Sequence, residues 1–375
     1  MIKVIIFITF VFVTDLSYGK PEYGFSYCYS DSKVTLFHNK TKSISIYDLS
    51  NNEWGKISLE ELNIENENRK TEIVENINYY YAIILNEISS LLILCINKAN
   101  HNIDSRVEIK LDRIKYLSGA IFTENVLYIF TSPLVDKTII TKFENCTVTI
   151  IGQDRHYPGD VKVEKKVKMR SSTWEAFYTS NNFAMSWATY GKNSYGYIYD
   201  YKMQMYYDMP DVPIPQDRPP FGGYVPRSRF GHCFSGNRLF IIGGHLTWSS
   251  SIGIMEDGYG KYPGLCYSFD ESKWEVLPED SPFLMDYPKL CWTDKEVLFI
   301  DDNAIHLFNP QIWEWRSINS DKIITGNKDI VVCIKGVVCI LGVSYKYEEL
   351  LIYLTKYIID KNKWEEGKTM LIKKE

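Results

Sequence analysis

Histidine and cysteine side chains can bind a metal or take part in nucleophilic catalysis. In this chain, their spacing matches neither a metal-binding motif nor a nucleophile motif. The eight cysteines include no Cys-x-x-Cys pair, so a zinc site is not expected. The six histidines are scattered, with no two at a spacing typical of metal ligands: His38, His101, His156, His232, His245 and His306. The sequence also lacks a Gly-x-Ser-x-Gly elbow, a His-Glu-x-x-His helix and a phosphate-binding loop. We therefore expect no metal, no cofactor and no catalytic residue.

Aromatic and proline residues indicate binding chemistry instead, and they concentrate in two segments. Asp208–Arg229 carries six of the fourteen prolines, which stiffen a loop and reduce the entropy lost on binding. His245–Leu265 combines aromatic residues with glycine and serine, a mixture common on recognition surfaces. The candidate ligand-binding residues are Arg218, Phe221, Tyr224, Trp248, Tyr259 and Tyr262. The alternative is that these aromatics fold back and cap the sheet beneath them.

The elements that must position these segments form a repeat. An acidic or amide residue in a turn recurs about every 50 residues, a period typical of stacked four-stranded sheets. These turn residues are Asp48, Asp112, Asn145, Asp200, Asp270, Asn309 and Asp360. An aromatic residue closely follows all of them except Asn145: Trp54, Tyr116, Tyr206, Trp274, Trp313 and Trp364. We expect these late aromatics to pack between neighbouring sheets.

A second series of turns lies upstream of these residues. Two runs rich in Val, Ile, Phe and Tyr flank a short polar turn, as at Ser30–Lys33, Asn86–Ser90 and Ser235–Arg238. Short strands with regular turn signals indicate an all-β fold, and no long amphipathic helix is visible. Each repeat then supplies four strands, which predicts seven four-stranded units.

The segment Pro226–Pro278 resembles the kelch repeat along nearly its whole length. It contains the features of that pattern in order: Arg227-Ser228, His232, the apolar run Leu239–Ile242, the diglycine Gly243-Gly244, the turn Phe269-Asp270, and Trp274. The other repeats keep the strands and most of the late aromatics but lose the diglycine. The resemblance implies a β-propeller of four-stranded blades around a central channel. We count seven blades, or six if the unit around Asn145 merges with a neighbour. Within this pattern, His232 is expected to be a hydrogen-bonded core residue rather than a catalytic one.

In a blade of alternating strands, the first-to-second and third-to-fourth turns share one face, and the other connections share the opposite face. The long segments fall on that opposite face: Asn63–Ile77, Asn97–Arg106, Gly152–Ser172, Asp208–Arg229 and His245–Leu265. Long connections in a compact domain are usually functional or disordered. This asymmetry and the kelch resemblance together predict a non-enzymatic binding module that contacts an extracellular protein or glycan through its long-loop face.

A secreted enzyme on the same fold is the alternative, because the fold alone does not decide function. Galactose oxidase has kelch-like blades and needs copper ligands, two His and two Tyr, with a Tyr–Cys crosslink. Ligands at a channel mouth come from distant positions, so the scattered histidines leave this interpretation open. A glycan-acting propeller belongs to the same alternative, although the repeated Ser-x-Asp-x-Gly-x-Thr-Trp box of sialidases is missing.

The first nineteen residues are typical of a secretory signal peptide. Lys3 precedes the apolar run Val4–Val13, and Ser17-Tyr18-Gly19 fits a cleavage site. This apolar run is too short to span a bilayer, which takes roughly 20 residues. We expect residues 1–19 to be removed and residues 20–375 to form a single domain, secreted as a monomer. The net charge of −5 argues against nucleic acid as a partner.

A secreted protein is exposed to glycosylation and to disulfide formation. Two sequons give candidate glycosylation sites at Asn39 and Asn145. The cysteines could form up to four disulfides or stay free and buried: Cys28, Cys95, Cys146, Cys233, Cys266, Cys291, Cys333 and Cys339. A bond from Cys28 to Cys333 or Cys339, or an added strand from Thr369–Lys374, would join the two ends of the ring.

Overall fold

The structure, a computed structural model, is built almost wholly from β-strands. It describes residues 25–30, 32–39, 41–59, 71–87, 90–110, 116–123, 125–132, 139–143, 146–152, 175–179, 183–190, 193–200, 205–210, 223–228, 231–243, 245–250, 253–256, 264–278, 289–300, 304–319, 330–346 and 349–373. Their helical content is a single 3-10 turn, Ile359–Lys361. Nothing helical in this described part is long and apolar enough to cross a membrane.

Seven sheets, each containing a row of four neighbouring strands, follow one another along the described chain, and we number them sheets 1 to 7. Sheet 1 contains β1 (Phe25–Ser30), β2 (Lys33–His38), β3 (Ser43–Asp48) and β4 (Glu53–Ser58). Sheet 2 contains β5 (Thr71–Glu75), β6 (Tyr79–Glu87), β7 (Ser90–Asn97) and β8 (Ile103–Lys110). Sheet 3 contains β9 (Tyr116–Thr123), β10 (Val126–Ser132), β11 (Ile139–Phe143) and β12 (Cys146–Gly152). Sheet 4 contains β13 (Glu175–Thr179), β14 (Phe183–Tyr190), β15 (Asn193–Asp200) and β16 (Met205–Asp208).

The remaining strands form sheets 5 to 7 and one additional sheet. A separate three-stranded sheet contains β17 (Gly223–Ser228), β20 (His245–Ser250) and β21 (Gly253–Glu256). Sheet 5 contains β18 (Gly231–Ser235), β19 (Arg238–Ile242), β22 (Leu265–Ser268) and β23 (Lys273–Val276). Sheet 6 contains β24 (Lys289–Trp292), β25 (Val297–Ile300), β26 (Ala304–Asn309) and β27 (Glu314–Asn319). Sheet 7 contains β28 (Ile330–Ile334), β29 (Val337–Lys346), β30 (Glu349–Ile358), β31 (Lys363–Glu366) and β32 (Met370–Lys373).

Strand order is regular in every sheet except sheet 3. Elsewhere the four strands lie side by side in chain order and pair antiparallel, as short hairpin turns dictate. In sheet 3, β12 lies between β10 and β11 and pairs parallel to β10. This sheet is the unit around Asn145, the one repeat without a late aromatic residue. The unit forms a four-stranded sheet as predicted, but its strand order departs from the repeat.

Contacts between neighbouring sheets close the sheets into a ring. The first strands touch in the series β28, β1, β5, β9, β13, and β18 touches β24, which touches β28. Sheets 4 and 5 share a hydrophobic cluster to which sheet 4 contributes Ile198. Further clusters are shared by sheets 1 and 2, 5 and 6, 6 and 7, and 7 and 1. The first strands therefore form the inner wall of the ring, and the fold is a β-propeller, as the sequence predicts.

Aromatic pairs between the third and fourth strands fill the space between the sheets. In four sheets, directly opposite aromatic residues pack with tilted rings whose centroids are 5.0 Å apart: Tyr47 and Trp54, Tyr267 and Trp274, Phe308 and Trp315, Tyr357 and Trp364. Each pair packs against a cluster shared with the neighbouring sheet. The predicted packing role is thus confirmed for Trp54, Trp274 and Trp364. In sheet 6 the residue directly opposite Phe308 is Trp315. Trp313 lies in the preceding turn and also packs against the cluster shared by sheets 5 and 6, with its ring centroid 5.2 Å from that of Phe308, so its predicted packing role is confirmed as well.

The sequence assigns the turns of the second repeat wrongly, each one strand too early in the sheet. Glu87 and Ser90 close the connection between β6 and β7, which are the second and third strands rather than the first and second. The third-to-fourth turn begins at Asn97, whose Oδ1 accepts the Ala99 N–H at 2.9 Å. Asp112, predicted for this role, lies outside the described residues, and Tyr116 begins sheet 3. The error arises because β5 contains two glutamates in five residues and gives no strand pattern.

Two of the predicted long loops are also shorter than expected. Half of Asn97–Arg106 is strand, because β7 ends at Asn97 and β8 begins at Ile103. Asn63–Ile77 includes β5. Most of Gly152–Ser172 lies outside the described residues. The long-loop face therefore carries fewer long connections than the sequence predicts.

The tail of the chain joins the two ends of the ring. β32 pairs with β30 beside β31, so the outer strand of sheet 7 continues through most of Thr369–Lys374. Between β31 and β32, the Lys368 carbonyl accepts the Trp54 indole N–H of sheet 1 at 2.6 Å. The Lys368 ammonium lies 3.6 Å from the Glu53 carboxylate. The predicted additional strand is present, and it extends an existing edge of sheet 7.

Cys28, Cys333 and Cys339 form no disulfide with one another, and the direction of Cys28 argues against the suggested bonds. Cys28 packs in the cluster between sheets 1 and 2. Cys333 packs in the cluster between sheets 6 and 7. Cys339 faces sheet 1, but Cys28 points away from that side of sheet 1. Because alternate residues of a strand face opposite sides, Cys28 is turned from both proposed partners.

Candidate functional site

The three-stranded sheet of β17, β20 and β21, called the extension below, grows out of sheet 5. Gly231 pairs with Ile242 in sheet 5, and Ser228 pairs with His245 in the extension. The two strands keep the same register from sheet 5 into the extension, so they form one long interrupted hairpin. Gly243, with a φ of 69°, lies at the interruption, where glycine tolerates a left-handed backbone.

The extension lies on the face that the sequence predicts to be functional. Its strands leave sheet 5 at the end opposite the β18–β19 turn, which is the end where second and third strands connect. Asp208–Arg229 and His245–Leu265 are therefore partly strand, contrary to the prediction that both are loops. The sequence did not predict β17 because Pro226 is unusual within a strand. Pro226 lies at a register shift between Tyr224 and Arg227, where a strand tolerates its missing N–H.

Two of the six candidate binding residues occupy directly opposite positions in the extension. Tyr224 of β17 is paired with Trp248 of β20. The other four lie outside the described residues: Arg218, Phe221, Tyr259 and Tyr262. The register thus brings two residues separated by 24 positions to one place on the long-loop face.

A second group of candidate side chains lies on the inner wall, near the face of the short first-to-second turns. Tyr29 lies one residue before the end of β1, and 44% of its surface is exposed. Burial nevertheless raises the pKa of its phenol to about 12, with smaller contributions from nearby groups of other sheets: Cys291, Cys233, Cys333 and Asp294. Tyr29 is exposed and interacts with groups of sheets 5, 6 and 7, so it faces the space that the first strands enclose. We take this space to be the mouth of the central channel.

Tyr27, two residues earlier on β1, lies deeper along the same wall. Burial raises the pKa of its phenol, and Tyr29, Cys291 and the Glu72 carboxylate add to the rise. Both phenols are protonated at neutral pH, as an ordinary tyrosine is, and the raised pKa values keep them neutral to higher pH. This chemistry suits binding of polar groups better than it suits proton abstraction.

His232 of β18 stays neutral at physiological pH. Burial and, to a smaller extent, the nearby Lys289 ammonium together lower the pKa of its imidazole to about 3. Its ring meets Phe234 edge-on, with centroids 6.3 Å apart. A neutral imidazole packed against a phenyl ring fits the prediction of a core residue and makes a weak general base.

The channel residues were not identified from the sequence, although a signal exists. Cysteines recur on the first strand of four units, one or two residues before that strand ends: Cys28, Cys233, Cys291 and Cys333. Their recurrence before the first turn marks the inner wall. In the sequence alone, these cysteines cannot be distinguished from ordinary small hydrophobic residues of a strand. Within the described residues, no group of three or more His, Cys, Asp or Glu side chains is arranged to hold a metal ion.

The two candidate glycosylation sites differ in what the structure describes. Asn39 is 0% exposed, and Thr41 of its sequon is bonded to His38, whose Nδ1 lies 2.6 Å from the Thr41 hydroxyl. A glycan requires a solvent-exposed amide, so the folded structure disfavours glycosylation at Asn39. Asn145 lies outside the described residues.

Sheet order and ring contacts define the class of this protein as a β-propeller. Among solved structures, the chain is similar to YjhT at 10% sequence identity and a TM-score of 0.46, covering 94% of this chain and 100% of that one. It is similar to Kuenenia stuttgartiensis hydrazine synthase at 9% identity and a TM-score of 0.49, covering 96% and 99% of the two chains. No protein-family model and no curated protein matches the sequence. We base the propeller assignment on the sheets and their contacts alone.

Proposed function

We propose that this protein is a secreted, kelch-like propeller of seven blades that binds an extracellular protein or glycan without catalysing a reaction. The observation that carries the proposal is the extension, which continues the first two strands of sheet 5 beyond the blade. Seven sheets in successive contact support the blade number.

Rigid presentation of the binding residues supports a recognition role for the extension. Tyr224 and Trp248 sit on paired strands, so less conformational entropy is lost on binding than from a free loop. Tyrosine and tryptophan supply large contact areas with few rotatable bonds. Arg218, Phe221, Tyr259 and Tyr262, on the segments beside these strands, complete the proposed surface.

Secretion is part of the same proposal. Residues 1–19 have the composition of a signal peptide, and residues 20–375 then form one domain that acts as a monomer. Asn145 is the proposed glycosylation site. Expression in a secreting cell line should place the protein in the medium, starting near Lys20. Retention inside the cell would contradict this part of the proposal.

The binding role is tested with the purified, biotinylated protein on cultured cell surfaces, before and after enzymatic removal of N-glycans. We expect saturable binding that Tyr224→Ala and Trp248→Ala each reduce at least about tenfold, as for a central aromatic contact. Ile312→Ala is the matched control. Ile312 is 62% exposed in a third-to-fourth turn on the opposite face, so this variant should bind like the parent protein.

Two results would overturn the proposal. Equal binding by all three variants would show that the extension does not contribute to the interaction. Stoichiometric copper in the purified protein would favour the enzyme alternative, because galactose-oxidase-like chemistry needs that metal.

A further inference from the structure

Strand alternation points two cysteines at each other across the joint between sheets 6 and 7. On β24, Leu290 packs towards sheet 5 while Cys291 packs towards sheet 7. On β28, Val332 packs towards sheet 1 while Cys333 packs towards sheet 6. Both cysteines therefore belong to one cluster, and their strands are in direct contact.

The two thiols form a hydrogen bond, and their environments differ. Cys291 donates to Cys333, which lowers the pKa of Cys333 and raises that of Cys291. The Gly336 N–H also donates to Cys333 and lowers its pKa further, against the effect of burial. Cys333 is half-buried, whereas Cys291 is 6% exposed. One thiol is thus accessible and more acidic, and the other is enclosed behind it.

We propose that Cys291 and Cys333 form a thiol–disulfide exchange site at the channel mouth, which a low-molecular-weight disulfide oxidises to a cross-link between sheets 6 and 7. The Cys333 thiolate attacks one sulfur of the oxidant, and the oxidant's other half leaves as a thiol after taking up a proton. Cys291 loses its proton and attacks the Cys333 sulfur of this mixed disulfide, releasing the second thiol. Two protein thiols are oxidised, and one disulfide is reduced to two thiols.

Geometry selects this pair over the bonds suggested from the sequence. A disulfide needs the two Cβ atoms to point towards each other at close range. Cys291 and Cys333 pack into one cluster from two strands in direct contact, whereas Cys28 faces sheet 2. The bond would join two blades at their inner strands. The inference does not depend on which partner the extension binds.

The test is disulfide mapping of the full chain after incubation with oxidised glutathione. Free thiols are alkylated, the protein is digested, and the peptides are analysed by mass spectrometry with and without reductant. We expect one linked pair, Cys291 with Cys333, that disappears on reduction and raises the urea midpoint of unfolding while intact. Alkylation of both cysteines, or linkage of either one to a different cysteine, would overturn the proposal.

Single variants test the order of attack. In Cys291→Ser, Cys333 should retain a glutathione adduct, because no second thiol resolves it. In Cys333→Ser, Cys291 should carry no adduct. A glutathione adduct on Cys291 in either the parent protein or Cys333→Ser would contradict the assigned roles. Cys339→Ala is the control, since Cys339 is buried and faces sheet 1, and it should leave the Cys291–Cys333 bond unchanged.

Discussion

Five third-to-fourth turns have a left-handed residue at or next to their last position, and four residue types occupy it. These residues are Asn52, His101, Ser272, Trp313 and Asn362, with φ between 47° and 62°. A residue other than glycine pays roughly 1–2 kcal/mol for this conformation. Hydrogen bonds offset part of that cost at two of the positions, where Asn52 and Asn362 accept the hydroxyls of Tyr47 and Tyr357. The turn is therefore specified by its geometry more than by one residue type.

Because His232 is neutral in the folded protein, we predict that the free energy of unfolding depends on pH. Its pKa falls from 6.5 to about 3 on folding, so below pH 6.5 the unfolded chain gains a proton that the folded chain does not. Its contribution to stability is complete above pH 6.5 and is lost as pH falls towards 3. At pH 5 the loss relative to pH 8 should be about 2 kcal/mol. His232→Phe should remove this part of the loss, measured by urea unfolding at both pH values.

The neighbouring residue supplies the control for this measurement. Phe234→Leu changes packing against the same ring but keeps the imidazole, so its pH dependence should match that of the parent protein. An unchanged pH dependence in His232→Phe would show that another group causes it.

The residue scale also shows where prediction from the sequence stops. Asp48 and Asn309 were identifiable because their Oδ1 atoms accept the N–H two residues later, both at 2.9 Å, a local interaction. Trp313 and Trp315 both follow Asn309 closely, so the local pattern does not distinguish which of them lies opposite Phe308. Only the pairing of Phe308 with Trp315 decides between them, and that pairing depends on strand register.

At the scale of elements, the sequence identified strands with alternating or continuous apolar residues and missed those without them. β5 contains two glutamates, and β17 contains glycine and proline. Both become strands through their partners, β6 and β20. The candidate site was affected in the same way. Its segments were located correctly, but the pairing of Tyr224 with Trp248 comes from backbone register that no local pattern records.

A glycine beside an outer strand gives the prediction at this scale. A Cβ at Gly367 would lie 2.6 Å and 2.7 Å from Leu354 Cδ2 and Cγ, which is too close for either atom. Gly367→Ala should therefore lower the free energy of unfolding by about 1–3 kcal/mol, the usual effect of overpacking. Urea unfolding followed by tryptophan fluorescence would measure it.

Gly55→Ala is the matched control, because Gly55 lies on the outer strand of sheet 1. Its nearest neighbour would be the Ile46 carbonyl oxygen at 3.9 Å, an ordinary contact. This variant should unfold like the parent protein. Similar losses in the two variants would mean that the Leu354 contact is not the cause.

At the scale of the whole molecule, the joint between sheets 7 and 1 depends on the tail. Ile372 is 1% exposed in the cluster shared by these sheets, while Leu371 beside it is 48% exposed. Ile372→Ala should destabilise the protein by about 2–4 kcal/mol through lost packing. Leu371→Ala should change stability by about 0.5 kcal/mol or less. Thermal or urea unfolding of the two variants compares them directly.

Equal destabilisation by the two substitutions would contradict the burial of Ile372 at this joint. A loss in Ile372→Ala that leaves the other joints protected in hydrogen exchange would locate the weakened region between sheets 7 and 1.

The hydrophobic clusters shared by neighbouring sheets have a consequence for how the chain folds. A sheet in this ring buries its two faces against two different neighbours, so it has no core of its own. A single excised blade would expose both faces to water, and removing one blade would uncover a face on each side of the gap. Folding should therefore be cooperative around the whole circle, with no blade acting as an independently stable unit.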